Sequence, residues 1–421
     1  MITALGALLA LIGTPLFVVI AVLAILHFAV ARVDLTVIFI EMYRIADSPA
    51  LAAIPLFALA GFLLAESRAA DRLVRVSQLV LGWLPGGLAI VAVLICAVLT
   101  ALTGASGMTI VALGGILYPA LVQRGYSEQF SLGLLTTGGS VGLLFPPSMP
   151  LILYGVIAGV SIDQLFVAGI APGVLVLLVL AAYCYRHGRR LGPGTAAAGP
   201  AFTRAAVLQL VRESAWELLL PPTIVLGIVA GVVAVSEAAA LSVLYVLVVE
   251  AGVRREIPLG RLPAIARSCM VLVGSILILL AASLAYTSYL VDAEVPARLL
   301  GFVRERVTDR LAFLLLLNLF LLAVGCMLDM FSALIVVVPL ILPVATAYGV
   351  DPIHLGIIFL TNLEIGYSTP PVGLNLFIAS MRFGKPVLRL YRASVPFLGL
   401  LLLVLVVVTY VPALSLFLTR R

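Results

Sequence analysis

Charge is scarce in this chain. Asp, Glu, Lys and Arg make up 10% of 421 residues, and 63% are hydrophobic. A soluble domain carries about 25% charged residues. No soluble core hides this much apolar surface, so the solvent is expected to be lipid. Charge is absent from Ile2 to Ala31, Val76 to Gln123, Ser268 to Val291 and Ala393 to Thr419, among other runs. A membrane-spanning helix needs about 20 apolar residues. The run from Val76 to Gln123 is long enough for two passes or a re-entrant pair. Cysteine is also sparse. Cys96, Cys184, Cys269 and Cys326 stand singly in apolar spans, without metal or redox spacing, and are expected to pack. His27, His187 and His354 are isolated too. The sequence has no HExxH, nucleophile elbow or phosphate loop, so nothing argues for an enzyme or an organic cofactor. The first apolar run lacks a basic leader and a small-residue cleavage site, and reads as a retained helix.

The net charge of +6 invites a nucleic-acid reading, which its placement removes. Arg186, Arg189, Arg190, Arg204 and Arg212 crowd one polar segment. Arg254, Arg255 and Arg261 fill a second loop, and Arg382, Lys385, Arg389 and Arg392 a third. This is the cytoplasmic-loop signature of a multi-pass inner-membrane protein, with lipid or partner contact as a second role.

Two matching proline breaks interrupt long apolar spans. The first reads Gly142-Leu143-Leu144-Phe145-Pro146-Pro147-Ser148, the second Gly366-Tyr367-Ser368-Thr369-Pro370-Pro371-Val372. Their offset is 366 − 142 = 224, which also relates Pro119 to Pro343, Gly125 to Gly349 and Pro172 to Pro396. A helix broken in hydrocarbon frees backbone groups that lipid cannot satisfy, and the usual reason to keep one is to bind something there. The expected fold is therefore an all-α polytopic membrane protein, duplicated as an inverted-topology repeat with two re-entrant helical hairpins and two broken helices.

The first repeat is read as residues 1–187: scaffold helices over 1–80, a hairpin at 87–123 turning within Thr103–Thr109, a broken helix at 127–160 and a plain helix at 164–187. The span Ile2–Val30 is taken as one helix. Arg68, Arg72 and Arg75 mark an amphipathic arm in the interface. Residues 188–214 read as a cytoplasmic linker. The second repeat, 215–421, holds scaffold helices over 215–310, a hairpin at 311–347 turning near Gly325–Ser332, a broken helix at 352–381 and a last helix at 391–418. Placing the first hairpin's mouth in the cytoplasm and the second's outside satisfies the positive-inside rule for most loops. Arg304, Arg306, Arg310, Arg420 and Arg421 run against it.

If the repeats cross, the four interruptions converge near the bilayer midplane. Helix N-termini there suit a carboxylate, and bare carbonyls at half-helix C-termini suit a sodium ion. Ser106, Thr109, Ser148, Ser332, Ser368 and Thr369 can add hydroxyls, and Asn375 an amide. The competing role for Ser and Thr is to bond their own helix or a neighbour. Asp329 is the acid of the second tip. Left unpaired, its charge costs about 2.5–3.5 kcal/mol at a helix centre, which a bound cation would offset. Gly104, Gly107, Gly142 and Gly366 are read as turn formers ahead of close-approach positions. Glu364 is read first as a structural ion-pair residue and second as a ligand-shell residue, and Glu237 as a cap or contact residue.

The stretches GASGMTIVALGGILYPALVQRGYSEQFSLGLLTTGGSVGLLFPPSMPLILYG and MLDMFSALIVVVPLILPVATAYGVDPIHLGIIFLTNLEIGYSTPPVGLNLFIAS resemble the two halves of the large membrane subunit of TRAP (tripartite ATP-independent periplasmic) transporters. The resemblance covers almost the whole chain. It implies an elevator-type carrier related in architecture to divalent-anion/sodium symporters. It also implies sodium-driven uptake of an organic anion, such as a C4-dicarboxylate or sugar acid. One implied sodium site involves Thr103, Gly104 and Ser106 with Gly142 and Pro146. The other involves Gly325 and Asp329 with Gly366 and Thr369, and the substrate lies between them. The resemblance implies two partners: a small four-helix membrane subunit and a periplasmic substrate-binding protein. The first tip, Gly104-Ala105-Ser106-Gly107, departs from the more serine-rich tip of many relatives. Other classes consistent with the composition are a stand-alone anion symporter or exchanger, and a non-transporting scaffold or channel subunit.

Overall fold

The computed structural model describes residues 2–44, 49–81, 83–191 and 204–419. Every regular element among them is helical, as lipid demands of a chain whose backbone must satisfy itself. The first repeat runs α1 (Ile2–Leu11), α2 (Leu16–Ala31), α3 (Thr36–Arg44), α4 (Pro49–Glu66), α5 (Ala69–Leu81), α6 (Gly87–Thr103), α7 (Ser106–Gln123), α8 (Glu128–Gly138), α9 (Met149–Ala158) and α10 (Ile162–Leu191). The second runs α11 (Arg204–Val229), α12 (Val235–Val246), α13 (Leu262–Asp292), α14 (Val295–Arg304), α15 (Arg310–Met327), α16 (Met330–Ala347), α17 (Pro352–Gly366), α18 (Leu374–Phe383), α19 (Val387–Tyr410) and the short α20 (Ala413–Leu416). Among the described residues seven helices are long and apolar enough to cross a membrane, nine if each of two bent pairs is one span.

The offset of 224 is visible in the fold. It carries Ser106 and Gln123, the ends of α7, onto Met330 and Ala347, the ends of α16. It carries Glu128 onto Pro352, the first residues of α8 and α17. The two copies interlock reciprocally: α7 packs on α18 and its counterpart α16 on α9, while α8 packs on α19 and α17 on α10. Ser140 and Glu364 are 224 residues apart and touch, the Ser140 hydroxyl donating to the Glu364 carbonyl at 3.3 Å. Two equivalent positions in contact place the pseudo-two-fold axis between them.

Three sequence readings change. The first apolar run is two helices, because Pro15, its φ of −53 set by the ring and its ψ of 135 extended, caps the start of α2. The residues read as a linker over 188–214 lie partly outside the described residues. Gly188 to Leu191 end α10, and α11 begins at Arg204. Arg420 and Arg421 also lie outside the described residues.

The third change concerns the arm. Arg68 and Arg75 of the α4–α5 bend are exposed, but Arg72 is only 4% exposed at its side chain. Its Nε and Nη2 donate to Glu217 of α11 at 2.8 and 2.5 Å. Nη2 also reaches Glu250 at 2.9 Å, and Nη1 donates to Glu256. Arg254 adds a second cation 3.5 Å from Glu217. A one-residue view of amphipathicity puts Arg72 in the interface, whereas the fold uses it to tie α5 to α11 and to the turn after α12. Burial raises the pKa of Glu256, but hydrogen bonds from the Arg72 side chain and the Arg68 backbone outweigh this and hold it below the usual carboxylate range. Elsewhere in the scaffold Glu237 accepts from the Ala234 N–H at 2.8 Å and caps α12.

Removing one partner of a buried ion pair costs about 3–5 kcal/mol, because the remaining charges stay uncompensated. Arg72→Ala is expected to lower the thermal unfolding midpoint in detergent sharply. Arg306→Ala, which removes an exposed cation, should leave it within error. Equal midpoints for the two variants would contradict the account of the arm.

Candidate functional site

Each hairpin turns in two residues. Gly104 and Ala105 link α6 to α7, and Leu328 and Asp329 link α15 to α16. Gly104 takes the left-handed conformation, φ +63, that lets its N–H close on the Thr100 carbonyl. The second tip reaches the same turn differently, with Asp329 as cap. Its Oδ2 accepts from the N–H groups of Phe331 and Ser332, both at 3.1 Å, and the Ser332 hydroxyl donates to Oδ1. Those donors stabilise the Asp329 charge that the sequence leaves unpaired.

Each tip seats on the break of its own repeat. Thr100 of α6 has its hydroxyl 2.7 Å from both the Gly139 carbonyl oxygen and the Thr109 hydroxyl. A Cβ on Gly142 would lie 2.2 Å from the Ala97 carbonyl oxygen. In the second repeat a Cβ on Gly366 would lie 2.5 Å from the carbonyl carbon of Gly325. Gly142 and Gly366 therefore act by close approach, not by turn formation, and so does helical Gly107, whose Cβ would meet Ile378. Cys326 offers its carbonyl to the N–H groups of Val372 and Gly373, each at 3.2 Å, and the Tyr367 hydroxyl accepts from the Met330 N–H. The first break adds a short 3-10 turn over Val141–Leu144 before the cis Pro146-Pro147 bond, and the second holds a cis Pro370-Pro371 bond. Pro146 is buried, whereas Pro370, Pro371 and Val372 are exposed.

The repeats then meet. The Ser106 hydroxyl at the first tip donates to Oδ1 of Asn375, just past the second break, at 2.8 Å. The remaining polar residues have closer duties. Ser148 donates to the Leu143 carbonyl at 2.6 Å and Thr369 to the Ile365 carbonyl at 2.9 Å. Thr103 Oγ1 makes only 3.4–3.5 Å contacts with the Ala105 backbone. Two buried groups beside the second break have no hydrogen-bond partner among the described residues: the Ser368 hydroxyl and the Asn375 amide nitrogen. Glu364 does not form an ion pair, since both its carboxyl oxygens are buried without a partner among the described residues.

Both tips open on one cavity of about 790 Å3. One wall comprises Gly104 to Met108, Asp329 to Phe331, Leu143, Tyr367 and Ile378. Phe62, Ala65 and Glu66 of α4 and Leu272 of α13 form the opposite wall. Sequence reading missed this opposite wall. Its one local signal is Glu66, an acid ending an apolar span. Ser106 and Asp329 face the cavity. Thr109, Ser148, Thr369 and Asn375 are not among its lining residues, and Ser332 lines a neighbouring cavity with Leu272, Asp329 and Phe331.

Two mirrored hairpin tips, each seated on a broken helix and both facing one cavity in a helical membrane fold, define a polytopic carrier. Comparison with known proteins makes the class specific. The family described as "Tripartite ATP-independent periplasmic transporter, DctM component" matches residues 2–414. The chain is 35% identical over 382 residues to the C4-dicarboxylate TRAP transporter large permease protein DctM of Pseudomonas aeruginosa, covering 90% of this chain and 88% of that one. It is 32% identical to the ectoine/5-hydroxyectoine TRAP transporter large permease protein UehC of Ruegeria pomeroyi, covering 97% and 96%. It is 34% identical to the isethionate TRAP transporter permease protein DctMQ of Oleidesulfovibrio alaskensis, covering 98% of this chain but spanning 65% of that longer protein. The YdaH transporter of Alcanivorax borkumensis shares the fold at a TM-score of 0.59 and 14% identity, covering 87% and 88%. The chain belongs to the DctM family of TRAP transporter large permease proteins, which are membrane subunits and not enzymes.

Overpacking a tight contact costs about 1–3 kcal/mol. Gly142→Ala and Gly366→Ala are each expected to lower the unfolding midpoint, while Gly274→Ala, with open space around it, should not. A midpoint unchanged by the first two would show that the tips do not seat on the breaks.

Proposed function

We propose that this chain is the large membrane subunit of a sodium-coupled carrier that takes up an organic carboxylate across the inner membrane. A periplasmic binding protein delivers the solute, and a small membrane subunit completes the complex. The observation that carries this reading is the convergence of both tips on one cavity between α4 and α13 on one side and the broken helices on the other. A solute held there sits between a static wall and a mobile one, which is the geometry an elevator movement needs.

The donor set suits sodium, which takes oxygen ligands and matches helix-end carbonyls. Thr103, Gly104 and Ser106 with Gly142 and Pro146 would hold one ion. Gly325 and Asp329 with Gly366 and Thr369 would hold the other. The unpartnered Ser368 hydroxyl and the weakly engaged Thr103 hydroxyl are the oxygens left available beside these places. A bound cation supplies positive charge near the cavity without a basic side chain. Within the protein, Ser106 couples the first tip to Asn375, so ordering one tip orders the polar floor contributed by the other repeat.

In proteoliposomes holding this chain and both partners, replacing sodium by potassium or choline is expected to abolish uptake. Uptake unchanged by the replacement would contradict sodium coupling. Asp329→Asn and Ser106→Ala should each raise the sodium concentration for half-maximal uptake about tenfold, the loss expected for one contact to a charged group. If neither variant shifts sodium dependence or solute affinity, the site assignment fails.

A further inference from the structure

The arginine-rich end of α10 borders a crevice of about 530 Å3 between α10 and α19, away from the cavity at the tips. Val179, Ala182, Arg186 and Arg190 line it from α10, and Leu400 lines it from α19. The four α10 positions recur every three or four residues, so they share one face of the helix. That face is graded. Val179, Ala182 and Leu400 make an apolar slot, and the two exposed arginines stand at its mouth. Aromatic packing shapes the slot: the His187 ring stacks on Phe130 with centroids 4.0 Å apart, and Tyr183 meets Phe397 edge-on at 5.2 Å. These contacts fix α10 against α8 and α19.

No Asp or Glu lines the crevice. Arg186 and Arg190 make no ion pair among the described residues. Glu128, at the start of neighbouring α8, is already held by Lys385 at 2.6 Å and Arg389 at 2.5 Å. The mouth therefore carries uncompensated positive charge. Val179 and Arg190 are eleven residues apart, about 16 Å along a helix axis. That is half of a hydrocarbon core about 30 Å thick, the depth of one leaflet. A cationic mouth over an apolar slot of leaflet depth matches a phospholipid in charge and in length. The positive-inside rule puts this end in the cytoplasm, where the membrane surface is negatively charged.

We infer that this crevice is a binding site for an anionic phospholipid of the cytoplasmic leaflet. The phosphate sits on Arg186 and Arg190, and one acyl chain lies along Val179, Ala182 and Leu400. Arginine holds phosphate by charge-assisted hydrogen bonds, and the chain covers apolar surface that α10 and α19 leave unfilled. A zwitterionic lipid brings its own ammonium group, which the two arginines repel, so the site selects by net charge. An acidic peptide is a poor occupant, because the slot below the arginines lies at hydrocarbon depth, where free backbone groups find no partner. The site needs neither cargo nor sodium and stands apart from the carrier reading.

The test uses the complex of this chain with its small subunit, purified in detergent and read by native mass spectrometry. The probes are phosphatidylglycerol and phosphatidylcholine with identical acyl chains. Phosphatidylglycerol is expected to bind with a Kd about thirtyfold lower, the product of the roughly fivefold factor that each of two basic residues supplies near a membrane surface. Arg186→Gln combined with Arg190→Gln should bring the two lipids to equal affinity. Arg298→Gln combined with Arg306→Gln, which removes exposed arginines of α14 and the turn after it, should keep the preference. Ala182→Trp fills the slot from an exposed position, so it should leave the unfolding midpoint unchanged and remove the preference. Equal affinity of the two lipids for the unaltered complex would overturn the proposal. So would a preference that survives loss of both Arg186 and Arg190. A preference that survives Ala182→Trp would overturn it too, by placing the lipid on the arginines without the slot.

Discussion

The structure depends on satisfying backbone groups that two broken helices release inside a membrane. Lipid offers them no partner, and each unsatisfied group costs several kcal/mol there. The solution is the same in both repeats: a hairpin tip is brought onto the break. Cys326 accepts from Val372 and Gly373, Tyr367 accepts from Met330, and Thr100 reaches Gly139. Hairpin and broken helix therefore pack as one unit. The glycines at 142 and 366 exist because this seating needs backbone against backbone.

Symmetry then makes one site out of two such units. The contact between Ser140 and Glu364 fixes the crossing point, and the bond from Ser106 to Asn375 joins the tip of one repeat to the half-helix of the other. The repeats are alike in backbone and unlike in chemistry. Ala105 and Asp329 occupy equivalent turn positions, one leaving a helix end open and the other closing it. Duplication supplies the frame, and substitution at equivalent positions supplies direction. The scaffold is held by other means: the buried Arg72 cluster joins α5, α11 and the turn after α12.

Much of the helical architecture was legible because its signals are local. Pro146-Pro147 and Pro370-Pro371 interrupt their helices, and their fixed offset exposes the duplication. Asp329 reads only as the acid of the second tip, and its use as the cap of α16 came from the structure. What stayed hidden depends on residues far apart in the chain. Arg72 reads as an interface arginine because its partners lie 145 to 184 residues away. Glu364 reads as an ion-pair residue because nothing in the sequence shows that its carboxyl group is buried without a partner among the described residues. Gly142 and Gly366 read as turn residues because close approach is a property of the helix opposite. The cavity wall from α4 and α13 was invisible for the same reason: apolar residues on a membrane helix look alike whether they face lipid or a solute.

The central claim is that the first tip and the second broken helix meet. A Ser106→Cys, Asn375→Cys pair, placed in a chain whose four native cysteines are replaced, tests it in native membranes under mild oxidant. The account predicts a disulfide between the two positions, matching that of an Asn318→Cys, Asn362→Cys control pair whose side chains touch within the second repeat. A control pair that cross-links while the 106–375 pair stays reduced would contradict it.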